Sequence, residues 1–498
     1  MLAPCLRAAV VELTLLQTTD VHCYLERSDD LPAGGGWLRL ATLIEDERQR
    51  AGAARCLLID SGDTLQGTME AYATHGRLPV DLLRVMRYDV WVPGNHDLDF
   101  GVECLIEATT ALGPMVLCGN LRLCPPGEGA AGTTRTAVSF PGWRMFERGG
   151  ARVAVIGLTA SYLDNWFWGP VRDEYAVETA VVALGRVMPE VTKAHPDMIV
   201  LAIHQGWLPN DTRGVNEVLE LTRQFPELDL ILGGHTHQPR PGVKLGERTW
   251  YVQAGFHGDH VAVVHATVDT EKHRVIDISS RLVPAGPDVA VNAKVKEAVA
   301  GYLAQCAEFG ARRVGELSEV LTAGGAPGED CPSSELISAA LAEATGASVV
   351  VHGKLSELDI FAGPVTDADL FRLIPYENAV GVLPLSEAQL RAVIEEQMRN
   401  RSSYVACGLW GVIAHVNAQG QVIRLEMPGG GPLPEGFAVA FNSYSLAGGG
   451  GRFPVLKDLA GTSWKENGRD GDSRAMLRAY LQKHSPYQPQ ARRWIVRE

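Results

Sequence analysis

The chain contains no apolar run long enough to cross a bilayer, no CxxC pair, no block of lysine and arginine, and no internal repeat. Each absence removes a class of protein. Without about 18–20 consecutive apolar residues there is no membrane-spanning helix to read. With 45 Lys and Arg against 59 Asp and Glu, a formal charge of -14, and no cationic stretch, an extended nucleic-acid polymer is a poor partner. A small anion stays open where bound metal reverses the local field. Nine cysteines, at positions 5, 23, 56, 104, 118, 124, 306, 331 and 407, form an odd set and read as thiols of a reducing compartment. The start, Met1-Leu2-Ala3-Pro4-Cys5-Leu6-Arg7, lacks the long apolar segment of a secretory signal, so a cytoplasmic location is expected. At 498 residues the chain exceeds one ordinary core, and two or more domains are expected.

What is present is concentrated in Gly94-Asn95-His96-Asp97-Leu98-Asp99-Phe100-Gly101, which packs an amide, an imidazole and carboxylates behind a predicted strand, Tyr88 to Pro93. Asn and Asp also favour helix caps and turns, which is the competing reading of any one such tripeptide. Four further blocks decide against it. Val11 to Thr18 reads as a strand ending in Asp20-Val21-His22; Cys56 to Ile59 leads to Asp63; Met198 to Ile203 ends at His204; Leu228 to Leu232 runs into Gly233-Gly234-His235-Thr236-His237. Predicted helices alternate with these strands: Trp37 to Arg50, Pro79 to Met86, Val177 to Lys193 and Val215 to Gln224. That alternation is an α/β layered architecture, whose sites form at the carboxyl ends of strands. Scattered core histidines would have no reason to follow five separate strands.

Further strands are predicted at Arg152 to Leu158, Trp250 to Ala254 and Val261 to Val268, and one long connecting helix at Val289 to Phe309. From about Arg313 a second α/β domain is expected, with helices near Ser333 to Thr345 and Ser386 to Met398 and a glycine-rich stretch from Asn442 to Phe453. The expected division is therefore residues 1–284, a linker at 285–312, and 313–498.

Asp, His and Asn without cysteine make a hard-to-borderline donor set, suited to Mn, Zn, Fe or Co. Seven ligands exceed one tetrahedral ion. They fit two ions sharing a carboxylate, an arrangement that serves in-line displacement at phosphorus. In their order, Asp20-Val21-His22, Gly62-Asp63, Gly94-Asn95-His96-Asp97, His204 and Gly234-His235-Thr236-His237 resemble the signature of the calcineurin-like metallophosphoesterases. Phe361-Ala362-Gly363-Pro364-Val365-Thr366, Ile374-Pro375-Tyr376-Glu377-Asn378 and Leu446-Ala447-Gly448-Gly449 are similar to the second-domain blocks of the bacterial 5′-nucleotidase and 2′,3′-cyclic-nucleotide phosphodiesterase branch.

The resemblance implies a four-layer α/β/β/α catalytic sandwich followed by a C-terminal α/β substrate domain of the 5′-nucleotidase type. It implies that Asp20, His22 and His237 hold one metal, that Asn95, His204 and His235 hold another, and that Asp63 bridges them. A metal-bound water or hydroxide would attack phosphorus, while His96, oriented by Asp99, would stabilise developing charge or protonate the leaving oxygen. The expected reaction is hydrolysis of a small phosphate ester, a nucleoside 5′-monophosphate first. A cyclic nucleotide, a nucleotide sugar, a non-nucleotide phosphate or a sulfur ester on the same centre are the alternatives, with a non-catalytic binding protein behind them.

Three positions depart from the family pattern. Cys23 stands where glycine is usual, Gly450 where an Asp is usual, and no arginine follows the expected Gly-Gly motif near Val351-His352-Gly353-Lys354-Leu355. Lys354 is the point charge expected in that arginine's place, without its bidentate geometry. For the two rings that sandwich a base in relatives, Tyr444 and either Tyr404 or Trp410 are the candidates, core packing being the competing reading of each.

Overall fold

In this computed structural model the described residues are 10–26, 35–124, 136–209, 215–324, 330–401, 408–461 and 471–498. The chain divides into two compact units, Met1–Leu163 with Asp173–Gln305, and Asp164–Arg172 with Cys306–Glu498.

Beside a small three-stranded sheet of Val138–Ser139, Leu121–Leu123 and Tyr175–Val177, the first unit holds two large sheets. One is built from β1 (Val10–Thr18), β2 (Cys56–Asp60), β3 (Val90–Trp91), β10 (His260–Asp269) and β11 (Arg274–Pro284), in the spatial order β11-β10-β1-β2-β3. The other contains β4 (Trp143–Arg148), β5 (Ala151–Leu158), β6 (Met198–Ile203), β7 (Leu230–Leu232), β8 (Arg240–Lys244) and β9 (Trp250–Gln253), ordered β8-β9-β7-β6-β5-β4. β1, β2 and β3 run parallel, as do β5, β6, β7 and β9, so their carboxyl ends gather at one edge of each sheet.

Side-chain alternation along the strands explains the layering. Leu13, Leu15, Leu57, Ile59 and Val90 meet Val153, Val155, Val200, Leu230 and Val252 between the sheets. The alternate residues Ala154, Ile156, Ile199 and Leu201 instead face Leu184 and Val187 of helix Ala180–Lys193 and Leu221 of helix Val218–Gln224. Helix Trp37–Ala51 covers the first sheet from the other side, against β1 and β10. Helix, sheet, sheet and helix are the four expected layers. Each fully buried Leu or Ile contributes about 1.5–3 kcal/mol relative to exposure.

Several element boundaries differ from the sequence reading. The strand expected over Tyr88 to Pro93 pairs only at Val90–Trp91, because Pro93 has no N–H with which to extend the ladder. The helix expected from Val177 starts at Ala180, capped by the Thr179 side chain, while Tyr175–Val177 pairs as a strand with Leu121–Leu123. The connecting helix is two helices, Ala293–Ala298 and Ala300–Gly310, separated at Val299 (φ −108°) just before Gly301, a residue that weakens helix.

The second unit is built on a three-stranded sheet in the order Val349–Val351, Phe437–Asn442, Val380–Leu385. The same alternation divides its core. Val349, Val351, Val439 and Phe441 pack toward Leu390, Val393 and Ile394 of helix Glu387–Arg399. Val350 and Ala440 pack toward Leu336 and Leu341 of helix Pro332–Thr345 and Leu477 and Leu481 of helix Ser473–Lys483. Trp168, from the short excursion Asp164–Arg172, is buried in the first of these clusters.

Candidate metal centre

Asp20, Asp63, Asn95, His204 and His235 all lie just past the carboxyl ends of parallel strands, β1, β2 and β3 of one sheet and β6 and β7 of the other. The loops reach this arrangement through unusual backbone. Asp20 (φ 53°), His22 (φ 50°), Asp63 (φ 55°), His235 (φ 70°) and His237 (φ 54°) are all in the left-handed region. Asp and His tolerate that region better than most residues, and such strain collects at functional sites. Cys23 (φ 56°) shares it, which accounts for glycine being usual at that place in the family.

The donor atoms fall into two groups, each within 4.8 Å: Asp20, His22, Asp63 and His237, and Asp63, His204 and His235. Asp63 belongs to both. Its Oδ2 lies 3.7 Å from His22 Nε2 and 3.1 Å from His204 Nε2. His237 Nε2 lies 3.3 Å from Asp20 Oδ1 and 3.3 Å from His22 Nε2. Among the described residues neither amide atom of Asn95 has a hydrogen-bond partner, although both are buried. Nor does His204 Nε2, which faces Asp63 outside hydrogen-bond geometry. Buried polar groups without partners are costly in a folded protein, and a divalent cation is the partner that Asp, His and Asn oxygen and nitrogen donors suit.

The ring orientations agree with that donor role. His22 Nδ1 donates to Gln66 O (2.9 Å) and His204 Nδ1 to Ser61 O (2.7 Å), leaving each Nε2 on the inner side. Burial pushes the His22 imidazole down to about 4, and burial with the nearby His204 pushes His235 down to about 3, so both are neutral. Burial would also lower His204, but Asp63 and Asp20 hold it up at about 10. Asp63 is held well below the ordinary carboxylate value, against its burial, by His204, His96 and His22. In the metal-free protein His204 therefore carries a proton that a cation must displace.

Two further carboxylates shape the loops. Asp99 Oδ2 accepts from His96 Nδ1 at 2.8 Å, the pairing expected from the octapeptide, and His96 N donates to Asp63 Oδ1 at 2.8 Å. Asp97, which the sequence reading left without a role, accepts four backbone N–H groups: Asp63 (3.0 Å), Thr64 (2.8 Å), Leu65 (2.6 Å) and Gly94 (2.6 Å). It clamps the loop after β2 to the loop after β3. Nothing distinguishes its residue type from Asp99 two positions on; only the tertiary contact does.

Space matters as much as charge here. A Cβ on Gly94 would lie 2.2 Å from Asp63 Oδ1 and 2.8 Å from His204 Cε1. Gly94→Ala is expected to displace Asp63 and destabilise the fold by about 1–3 kcal/mol, the cost of overpacking a filled site. Urea denaturation together with metal analysis of the purified variant tests this; an unchanged midpoint and unchanged metal content would contradict it.

The residues expected to contact substrate fare differently. Lys354 has a side chain only 3% exposed, and its ammonium donates to Ala323 O (2.8 Å) and Glu357 Oε2 (2.6 Å), so it is committed inside the second unit rather than presented to a phosphate. Trp410, partly buried, packs 5.7 Å from Trp494 and donates its indole N–H to Glu335 Oε1 (3.1 Å). A buried amine and a partly buried indole thus have internal partners that local sequence does not display. Tyr444 is half-buried, its hydroxyl 3.4 Å from Arg452 Nη1 beside Gly450. Tyr404 lies outside the described residues.

The sequence reading also passed over a sixth strand end. Gly255-Phe256-His257-Gly258 follows β9, parallel to β7, and its rings stand against His237 and His22.

Residues 13–239 match the family described as calcineurin-like phosphoesterase, and residues 313–458 match the 5′-nucleotidase C-terminal domain. A Treponema pallidum protein named probable 5′-nucleotidase is 22% identical over 471 residues, 79% of this chain and 76% of that protein. Among solved structures, a 5′-nucleotidase precursor from Thermus thermophilus aligns over 98% of this chain and 99% of its own, with a TM-score of 0.72 and 22% identity. The sulfate thiohydrolase SoxB of the same organism, in complex with glycerol, aligns over 97% and 96%, with a TM-score of 0.67 and 16% identity. These two likenesses speak to fold. With both family matches in this order along one chain, and an Asp and His cluster at the strand ends of the first, the chain belongs to the calcineurin-like phosphoesterases of the 5′-nucleotidase type, a family of metal-dependent hydrolases.

Proposed function

We propose that the protein hydrolyses a small phosphate monoester, with a nucleoside 5′-monophosphate as the first candidate. The observation that carries this reading is Asp63, shared by two groups of mostly buried donors, next to a His96 held by Asp99. Asp20, His22 and His237 would hold one divalent ion and Asn95, His204 and His235 another, with Asp63 common to both. Mn, Zn, Fe or Co suit the donors. Two such ions supply a nucleophile of lowered pKa and positive charge opposite the phosphoryl oxygens. His96 has the position and hydrogen bonding to steady the developing charge or to protonate the leaving oxygen.

Residues 1–284 are proposed as the catalytic domain and 313–498 as the substrate domain. The seven described cysteines are all free thiols, which supports a reducing compartment. No helix among the described residues is long and apolar enough to cross a membrane.

One observation favours a second reading of the substrate. With Lys354 paired to Glu357, Trp410 bonded to Glu335 and Gly450 in place of an acid, Tyr444 is the expected nucleotide contact among the described residues of the second unit that has no such internal commitment to a carboxylate. A non-nucleotide phosphate or a sulfur ester on the same centre follows from that.

The test is phosphate release with added Mn²⁺ from AMP, UMP, 2′,3′-cyclic AMP, UDP-glucose and an aryl phosphate. A kcat/KM for AMP or UMP well above that for the aryl phosphate is expected. Equal rates on all monoesters would discard nucleotide specificity, and no release from any would discard the phosphatase reading. Lys354→Ala is expected to leave KM for the preferred substrate within about twofold, because its ammonium is already paired inside the fold.

A further inference from the structure

His237 is less enclosed than Asp20 and His204. Its side chain is 38% exposed, whereas those of Asp20 and His204 are fully buried. His22 and His204 are oriented by Nδ1 hydrogen bonds to backbone carbonyls, but among the described residues no carbonyl takes the Nδ1 of His237. The His237 ring is held at Nε2, 3.3 Å from Asp20 Oδ1 and from His22 Nε2, but not at Nδ1, and a ligating imidazole fixed at one nitrogen alone has more orientational freedom to lose on binding.

The turn after β9 supplies something else. Gly255 (φ 102°), His257 (φ 52°) and Gly258 (φ 71°) fold it back over the centre, and His257 N donates to Asp20 O at 2.7 Å. That hydrogen bond anchors the turn to the ligand loop after β1. The Phe256 ring lies nearly parallel to the His237 ring, 7° between planes and 5.0 Å between centroids, the offset stack that aromatic rings favour. Phe256 is itself held edge-on by His257 at 4.6 Å, and His257 stacks on Tyr24 at 3.9 Å. His257 also stands edge-on to His22 at 5.7 Å. A row of rings, Tyr24, His257, Phe256 and His237, thus runs from the body of the domain to the exposed ligand.

We propose that Phe256 is a positioning residue for His237, its flat ring taking the orienting part that a carbonyl plays for His22 and His204. The inference rests on the reading of His237 as a metal ligand. The phenyl ring of Phe256 has no donor atom with which to bind a metal. Its effect is on the ring orientation in the unliganded protein, and so on affinity at the site of Asp20, His22 and His237.

The experiment is calorimetric titration of the full-length, metal-stripped protein with Mn²⁺ and with Zn²⁺, alongside thermal melting of the metal-free form. Phe256→Leu should weaken one of the two binding events by about 10–100-fold, the usual effect of losing a ligand's orienting partner, and leave the other within about twofold. Phe256→Tyr keeps the flat ring and should bind as wild type. If leucine lowers the melting midpoint, Phe256→Met, which keeps bulk without a plane, repeats the comparison. Wild-type affinity in both the leucine and methionine variants would overturn the proposal, as would a tyrosine variant no tighter than leucine. His237→Ala separates this from failure of the ligand assignment: if that variant also binds as wild type, His237 is not a ligand at all.

Discussion

Asp63→Ala should empty the metal centre and reduce phosphate release by about four orders of magnitude or more, equivalent to roughly 5 kcal/mol of lost transition-state stabilisation. The reason is its double membership. Asp20 or His237 serves one donor group only, but Asp63 lies within 4.8 Å of the donor atoms of both. Removing it leaves Asp20 as the one carboxylate among the grouped donors and none shared by the two groups. Repulsion between two cations with no shared carboxylate then opposes filling both positions. Elemental analysis after dialysis should find at most one ion in the variant and, on the proposed reading, two in the wild type. Asp63→Asn keeps the size and one oxygen, and should retain more metal than alanine while still losing most activity. Two tightly held ions in the alanine variant would defeat the bridging assignment.

The second large effect is at His96. His96→Ala should lower turnover by about 10²–10⁴-fold with metal content unchanged, because the ring acts on substrate rather than on metal. Its charge state gives an independent check. Burial would push His96 down, but Asp99 at 2.8 Å and Asp63 hold it up at about 9 in the metal-free protein. An imidazolium of raised pKa is fully present at low pH and is lost as pH rises through that value. A step needing protonated His96 therefore gives an alkaline limb in the pH–rate profile. Bound cations oppose the shift, so the limb is expected below about 9 and above the ordinary His value of 6.5. Asp99→Asn removes the largest raising partner, and the limb should move to lower pH. A profile indifferent to Asp99→Asn would remove His96 from the proton-transfer role.

How far these residues could be read without coordinates depended on how local each signal was. Asp20, Asp63, Asn95, His204 and His235 were legible because each follows a short apolar, β-branched run, and strand ends are where α/β folds place their sites. The His96 and Asp99 pair was legible because three residues separate them on a tight turn. Asp97 stands between them with the same chemistry, yet its four N–H partners come from loops 32 to 34 residues and 3 residues away. No spacing rule indicates that. Phe256 was hidden for the same reason: the strand before it, Trp250 to Ala254, was recognised, but a phenylalanine and a histidine after a strand look like ordinary packing. Lys354 and Trp410 show the opposite case. Charge and aromaticity in a loop suggest a ligand contact until burial is known, and Glu357 and Glu335 turned out to be the partners.

Sequence by itself therefore determined the α/β class, the order of the strands that carry ligands, the donor chemistry and the Asp63-centred set, since these depend on short-range periodicity and on residue type. Only the tertiary structure decided which carboxylate clamps the loops, which candidate ligands sit in left-handed backbone, which ring stacks on His237, and which charged or aromatic groups of the second unit have internal partners. Those depend on distances between residues far apart in the chain, and burial, which sets the cost of leaving a charge or an indole N–H unpaired, is a property of the folded volume rather than of any segment.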